Sequence, residues 1–117
     1  MNTDLVQKIA LIALSHHHFD VDEIGRFHIC EERLGEVLSR VKKECGLDEL
    51  MYLSTCNRVE FILVTDSEIT HGFMDRFFTA LLGEQRTEEV ANAVTKAKIF
   101  YGENVLRHTC EVAASLD

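Results

Sequence analysis

The chain has 117 residues, of which 46% are apolar, so a single domain with a modest hydrophobic core is expected. Its formal net charge of −8 argues against a domain that grips nucleic acid by itself, because phosphate contacts need a basic surface. A nucleic-acid partner would need a local basic patch or another domain. No run of 18 apolar residues is present, so neither a membrane-spanning helix nor a membrane partner is expected.

The N-terminal segment and the cysteine spacing favour the cytoplasm. MNTDLVQKIALIAL has no basic region before its apolar part and no small-residue cleavage site, so no secretory signal is expected. The chain contains no CxxC pair, which argues against a zinc ribbon or a redox dithiol. The even number of cysteines leaves disulfides open, but reduced thiols are the better interpretation.

Hydrophobic periodicity and capping residues predict four strands, four helices and a short helical turn. The predicted strands are residues 8–15, 49–54, 59–65 and 97–101, the helices are residues 31–45, 70–83, 86–96 and 103–116, and the turn lies within residues 20–28. Asp20 or Asp22 is expected to cap the turn, and Thr87 to cap the third helix. Gly46 and Gly83 are expected to end the first two helices.

The order of these elements is roughly β-α-β-β-α-β-α. This order fits an α+β fold with a ferredoxin-like split βαβ antiparallel sheet, helices on one face and extra helices. Fold alone does not determine function, so the function has to be argued from particular residues.

The most unusual stretch is STCNRVE, residues 54–60, where a cysteine stands among polar residues and an arginine. If this stretch is extended, Cys56 and Arg58 point to the same side, roughly 7 Å apart along the strand. A nearby guanidinium stabilises a thiolate, and Thr55 and Asn57 can hydrogen-bond a polar substrate beside the sulfur. A buried, unreactive Cys56 stays open as well, since free cysteines are among the most buried residues.

STCNRVE resembles the STCNR(T/V)E signature of glutamyl-tRNA reductases. IALSHHHFDV, residues 12–21, is similar to a strand followed by NHKTAPV in that family, with His16 at the histidine position. GENVLRHTCEVAASLD, residues 102–117, is similar to the family's HLFxVASGLDS, with His108 at the histidine. The three segments occur in the family's order and spacing, so the resemblance covers essentially the whole chain.

The resemblance implies an oxidoreductase whose cysteine thiolate attacks the ester that joins glutamate to its tRNA. The resulting thioester is reduced by NADPH to glutamate-1-semialdehyde for tetrapyrrole, or porphyrin, biosynthesis. Cys56 would be the nucleophile, and His108 would assist proton transfer or substrate polarisation. The residues implied to bind the substrate are Thr55, Asn57, Arg58 and His16.

The resemblance also implies that residues 1–117 are a truncated N-terminal catalytic domain that binds glutamyl-tRNA(Glu). The NADPH-binding and dimerisation domains would be absent from this chain, which has no GxGxxG fingerprint. The full-length enzyme would be a cytoplasmic homodimer that channels its product to a glutamate-1-semialdehyde aminomutase. The chain departs from the family pattern at Asp20, where proline is usual, at Thr109-Cys110, where Leu-Phe is usual, and at Ser115, where glycine is common.

The remaining cysteines and histidines are interpreted without a catalytic role. The run His16-His17-His18 is not expected to hold a metal, because neighbouring side chains of an extended chain point to opposite sides. His28 and His71 are expected at the surface or at helix boundaries. The cysteines predicted to be packing residues in helical, partly apolar stretches are Cys30, Cys45 and Cys110.

Two other classes of function stay open at this stage. A non-catalytic ferredoxin-like module that binds a small ligand or a protein would have an unreactive Cys56, with Asn57 and Arg58 as turn residues. A self-standing thiol hydrolase or transferase would share the reactive cysteine without preferring glutamyl-tRNA. Fast alkylation of Cys56 relative to the other thiols would argue against the binding module.

Overall fold

The computed structural model describes the backbone of residues 8–115 and the side chains of residues 8–114. The strands are β1 (Ile9–Ser15), β2 (Glu49–Thr55), β3 (Arg58–Val64) and β4 (Lys98–Tyr101), and the helices are α1 (Val21–Gly25), α2 (Glu31–Cys45), α3 (His71–Leu82), α4 (Thr87–Lys96) and α5 (Glu103–Ser115). The strands and the four longer helices lie within one residue of their predicted bounds. Two predicted features fall outside the described range: residue 116 of the last helix and the first half of the segment weighed as a secretory signal.

The four strands form one sheet in the order β2-β3-β1-β4. Every pairing is antiparallel. Helices connect β1 to β2 and β3 to β4, so the central strands of the sheet are β1 and β3. This topology confirms the α+β prediction of a ferredoxin-like, split βαβ sheet. No helix in residues 8–115 has the length and apolar character needed to cross a membrane.

Strand β1 is apolar along its length because both of its faces are covered. Ile12 and Leu14 belong to the main core, which α2 and α3 close from one side. Leu11 and Ala13 point to the opposite face and pack with Val105 of α5. The extra C-terminal helix therefore lies on the sheet face that the other helices leave open.

An aromatic cluster fills the main core between the sheet and its helices. The ring of Phe77 on α3 lies 5.1 Å from Phe61 of β3 and 5.2 Å from Phe78, measured between centroids. Phe78 in turn lies 5.9 Å from Phe27. All three pairs meet edge to face, the arrangement that the quadrupoles of aromatic rings favour.

Helix α1 is short, and its N-terminus is closed by a capping box. The side chain of Asp20 accepts a hydrogen bond from the Glu23 backbone, and the Glu23 carboxylate accepts one from the Asp20 backbone. Asp20 is thus confirmed as the cap. The same carboxylate accepts a hydrogen bond from Asn92 and pairs with Lys96 at 3.3 Å, which fastens α1 to α4.

Gly46 and Gly83 end α2 and α3 as predicted, whereas the cap predicted for α4 is wrong. Gly46 ends α2 in the left-handed conformation, with φ at 63°. Thr70 caps α3 by accepting a hydrogen bond from Phe73. Thr87 was predicted to cap α4, and this is wrong. Arg86 holds the cap position without a side-chain hydrogen bond, and Thr87 is the first helical residue.

Candidate active site

The predicted nucleophile lies at the tip of the β2–β3 hairpin. Thr55 pairs with Arg58 across the two strands, which leaves Cys56 and Asn57 as a two-residue turn. The extended geometry assumed for this stretch is therefore wrong, because the register of the hairpin reverses the chain at Cys56. The hydroxyl of Thr55 accepts a hydrogen bond of 3.3 Å from the Asn57 backbone, and the Cys56 side chain is exposed.

His16 lies beside this hairpin, at the point where β1 ends. Its backbone N–H donates to the carbonyl of Asn57 at 3.0 Å, so the main chain of residue 16 is tied to the turn. The His16 side chain is exposed, and its ring lies 4.1 Å from the ring of His17. Within residues 8–115, no three metal-ligating side chains converge on one point.

A buried polar cluster lies farther along β3, on the face that α5 covers. Arg58 and Glu60 are two residues apart, so both side chains point to this face. One oxygen of Glu60, Oε2, accepts a hydrogen bond from Arg58 Nη1 at 3.3 Å and another from His108 Nε2. Only 4% of Glu60 and 8% of Arg58 is exposed. The structure thus joins two predicted site residues through a third.

Glu60 was assigned no role in the sequence analysis. The sequence did contain an indication of a role for Glu60, because VEFILV is an apolar strand with a single carboxylate. Its partner His108 comes from α5, 48 residues away, and stacks on Phe100 at 4.2 Å between ring centroids. Stacking on Phe100 fixes the plane of the imidazole ring, and the hydrogen bond to Glu60 fixes which edge of the ring faces the carboxylate.

A cavity of about 260 Å³ opens between the hairpin and α5. Most of the surface that lines it is apolar; its apolar lining residues are Leu53, Val112 and Ala113, and its polar ones are Ser54, Thr55, Arg58, Glu60 and Thr109. Neither Cys56 nor His108 belongs to the lining among the residues that the structure describes. Cys56 directly follows the lining residue Thr55, and His108 contacts the lining residue Glu60. Of the predicted site residues, Thr55 and Arg58 therefore line this cavity.

The four cysteines occupy two kinds of environment, and none forms a disulfide. Cys45 is buried, as predicted, and this burial raises the pKa of its thiol. The packing role predicted for Cys30 and Cys110 is wrong, because both are exposed. Cys30 precedes the first turn of α2, and Cys110 faces outward on α5, so neither side chain reaches the core.

Comparison with known families adds a further observation. Residues 12–117 match the family model for the N-terminal domain of glutamyl-tRNAGlu reductase. The chain belongs to this family. The glutamyl-tRNA reductase match includes the hairpin, β1 from Ile12 onward and the whole of α5.

Curated glutamyl-tRNA reductases resemble the chain along nearly all of its length. The protein from Archaeoglobus fulgidus is 32% identical over 111 residues, covering 94% of this chain and 22% of the relative. The protein from Synechocystis is 32% identical over 112 residues, covering 93% and 25%. The protein from Syntrophobacter fumaroxidans is 37% identical over 114 residues, covering 93% and 23%. The chain thus spans about a quarter of the length of these glutamyl-tRNA reductases.

A solved structure supports the same fold. The glutamyl-tRNA reductase from Methanopyrus kandleri superposes with a TM-score of 0.57 over 92% of this chain and 22% of that protein. The sequences share 18% identity, so this likeness concerns the arrangement of strands and helices.

Proposed function

We propose that this chain is the catalytic, glutamyl-tRNA-binding domain of a glutamyl-tRNA reductase, with Cys56 as its nucleophile. The observation that carries the proposal is the exposed thiol at the tip of a hairpin whose residues on either side of the turn, Thr55 and Arg58, line a cavity. Family membership supports the choice of substrate. The turn leaves the sulfur accessible to a large acyl donor such as an aminoacyl-tRNA.

In the proposed reaction, the Cys56 thiolate attacks the carbonyl carbon of the ester between glutamate and the tRNA. A C–S bond forms, the C–O bond to the tRNA breaks, and the leaving oxygen takes up a proton. The products are a glutamyl thioester on Cys56 and free tRNA. A thiolate suits this step because it is a strong nucleophile near neutral pH.

Arg58 is assigned to the carboxylate of the glutamyl group. Arg58 is a lining residue of the cavity, and its Nη1 donates to Glu60, which holds the guanidinium in one orientation. The planar fork of a guanidinium matches a carboxylate better than an ammonium does. Thr55 lines the same cavity, and Asn57 and His16 lie at the turn, where they would contact the polar part of the substrate.

His108 is assigned to proton transfer to the leaving oxygen. Glu60 accepts a hydrogen bond from His108 Nε2, in the way that carboxylates orient catalytic histidines in other enzymes. The other ring nitrogen, Nδ1, is therefore the atom that would exchange the proton. The imidazole is largely buried, and Phe100 covers one of its faces. Glu60 would thus be a positioning residue that orders both Arg58 and His108.

The described residues do not fit a dinucleotide cofactor. Their sheet is entirely antiparallel, whereas the NADPH fingerprint sits in a parallel βαβ unit with a GxGxxG turn. NADPH, which would supply the hydride for thioester reduction, is therefore assigned to a part of the enzyme outside this chain. The homodimer, the channelling partner and the cytoplasmic location stay predictions.

The proposal is tested by intact-protein mass spectrometry after the chain is incubated with glutamyl-tRNA. A glutamyl adduct is expected on the parent chain and none on Cys56→Ser, since an alcohol at that position is far less nucleophilic. Cys110→Ser serves as the matched control, because it removes another exposed thiol and should keep the adduct. An adduct that persists on Cys56→Ser would assign the nucleophile elsewhere.

A further inference from the structure

A second concave surface, of about 580 Å³, lies on the side of the sheet that α2 and α3 cover, opposite the face that α5 covers. It is formed by the segment before α2, the exposed side of α2 and the C-terminal end of α3. Four of the chain's 12 basic residues line it, and we call it the arginine groove: Arg26, Arg33, Arg40 and Arg86. None of these residues takes part in the site described above.

The charge of the arginine groove is opposite to that of the chain. Four guanidinium groups face two lining carboxylates, Glu44 and Glu84, whereas the whole chain has 12 basic and 20 acidic residues. A concave surface lined by one sign of charge concentrates the field and attracts ions of the opposite sign. The chain as a whole is acidic, with a net charge of −8, but basic side chains outnumber acidic ones in this lining.

Three of the four arginines are exposed, and two of the four, Arg40 and Arg86, are bonded to other residues of the chain. Arg40 Nε donates to the carbonyl of Ala80 at 3.0 Å, and Arg86 pairs with Glu89 at 3.2 Å. Arg26 and Arg33 are exposed, and neither forms an ion pair with a carboxylate in residues 8–115. These two side chains are the ones available to a ligand.

One part of the arginine groove, the segment before α2, lies toward the end of the sheet that carries Cys56. Strand β1 ends opposite the start of β3, and the chain then passes through α1 to the first turn of α2. The backbone of Ile29, in the lining, donates to the hydroxyl of Tyr52 at 2.9 Å. Tyr52 lies four residues before Cys56 on β2, which is roughly 13 Å along an extended strand.

We propose that the arginine groove binds the phosphate backbone of RNA and leads its acylated end toward Cys56. The inference rests on the proposed function, because that function makes the acyl donor an RNA. Guanidinium forks match phosphate oxygens, and phosphate contacts position an RNA without reading its sequence. Of the apolar lining residues, Phe27 and Val37 are buried, whereas Ile29 and Leu82 are half-buried.

The test measures binding of a fluorescent, uncharged tRNA(Glu) transcript by anisotropy at several salt concentrations. Arg26→Ala/Arg33→Ala is expected to raise the Kd at least tenfold, an estimate of about 1.4 kcal/mol or more. The slope of log Kd against log salt should fall by about 1.5 to 2, because about two phosphate contacts are lost. Lys43→Ala/Arg76→Ala removes the same charge from exposed positions outside the lining and should change the Kd less than about threefold.

A variant that removes a negative charge from the arginine groove strengthens the test. Glu84→Gln removes a carboxylate from the lining, so it should lower the Kd for the transcript by about twofold. Equal weakening by the two double variants would overturn the assignment, since only bulk charge would then matter. The absence of saturable binding by the parent chain at low salt would overturn it as well.

A second measurement distinguishes a failure of the arginine groove assignment from a failure of the proposed function. Acylation of Cys56 in the parent chain by a small glutamate thioester, with no RNA present, reports on the nucleophile alone. If this acylation occurs while tRNA binding is indifferent to Arg26 and Arg33, the arginine groove assignment fails and the nucleophile stands. If the arginine groove binds tRNA but neither donor acylates Cys56, the proposed function fails instead.

Discussion

At the scale of single residues, Glu60 organises the candidate site. Its carboxylate takes hydrogen bonds from Arg58 and His108 in a place where 4% of the residue is exposed. A buried charge is costly unless it is paired and hydrogen-bonded, and here both partners are residues assigned to the reaction. The same two contacts therefore offset the cost of burying the Glu60 charge and orient the side chains of Arg58 and His108.

Replacement of Glu60 by glutamine should affect both stability and acylation. Glu60→Gln is expected to lower the free energy of unfolding by about 3 kcal/mol, because the charge of Arg58 loses a buried counter-ion. The rate of Cys56 acylation from glutamyl-tRNA should fall and its pH profile should change, since His108 loses its orienting carboxylate. Denaturant titration and the acylation rate across pH are the two measurements.

The matched control for this prediction is Glu49→Gln. Glu49 also forms a salt bridge, but with 76% of its side chain exposed and its partner 3.9 Å away. Its replacement should cost less than about 0.5 kcal/mol. An acylation pH profile of Glu60→Gln that superposes on that of the parent would contradict a positioning role.

The four thiols should differ in their rates of alkylation. Cys45 is expected to react slowest with iodoacetamide, because it is buried and burial raises the pKa of its thiol. Under the proposed function Cys56 reacts fastest, ahead of the exposed Cys30 and Cys110. Peptide-resolved mass spectrometry gives the four rates, and the denatured chain, in which they should converge, is the control. A Cys56 as slow as Cys45 would favour the binding-module interpretation.

At the scale of elements, α1 depends on contacts beyond its own sequence. A helix of 5 residues is too short to be stable in isolation, so its capping box and its link to α4 must hold it. Glu23 serves both purposes, since it completes the box with Asp20 and pairs with Lys96. The backbone hydrogen bond from Asp20 lowers the pKa of Glu23 most, and Asn92 and Lys96 lower it further, while desolvation opposes them.

The stabilising effect of Glu23 should therefore depend on pH. Since its pKa is lower in the folded chain than the ordinary 4.5, its contribution is present above pH 4.5 and is lost as the pH falls through the folded value. The Tm difference between the parent and Glu23→Gln should be largest near pH 7 and shrink below about pH 4. Thermal unfolding followed by circular dichroism measures it.

Glu111→Gln is the control for the effect of Glu23. Glu111 is exposed on α5 and forms no ion pair within the described residues, so its replacement should leave the Tm nearly unchanged at both pH values. A Tm difference for Glu23→Gln that is equally large at pH 3 and pH 7 would mean that the charge of the carboxylate is not what stabilises α1.

At the scale of the whole molecule, the aromatic cluster around Phe77 couples the helices to the sheet. Phe77→Ala is expected to lower the free energy of unfolding by about 3 to 5 kcal/mol, because the ring is fully buried and its loss leaves a cavity. Chemical denaturation provides the measurement. Leu106→Ala, at a position that is 49% exposed on α5, should cost less than about 0.5 kcal/mol. A similar loss in both variants would argue against Phe77 as the centre of the core.

The sequence by itself determined the elements and the family. The apolar run of β1, the end of α2 at Gly46 and the signature STCNRVE each depend on residues within a few positions of one another, and local periodicity and turn chemistry act over that range. The turn at Cys56-Asn57 is also local, since Thr55 pairs with Arg58, but it was not predicted because this pair lacks the glycine that usually marks a two-residue hairpin.

The tertiary structure alone decided which side chains meet. Glu60 and His108 are 48 residues apart in the sequence, and no local pattern indicates that α5 brings an imidazole onto the carboxylate. The arginine groove likewise combines Arg33 of α2 with Arg86 before α4, which the path of the chain across the sheet brings together. The sequence does not show whether a charged side chain faces water or a partner, because that depends on how distant elements pack together.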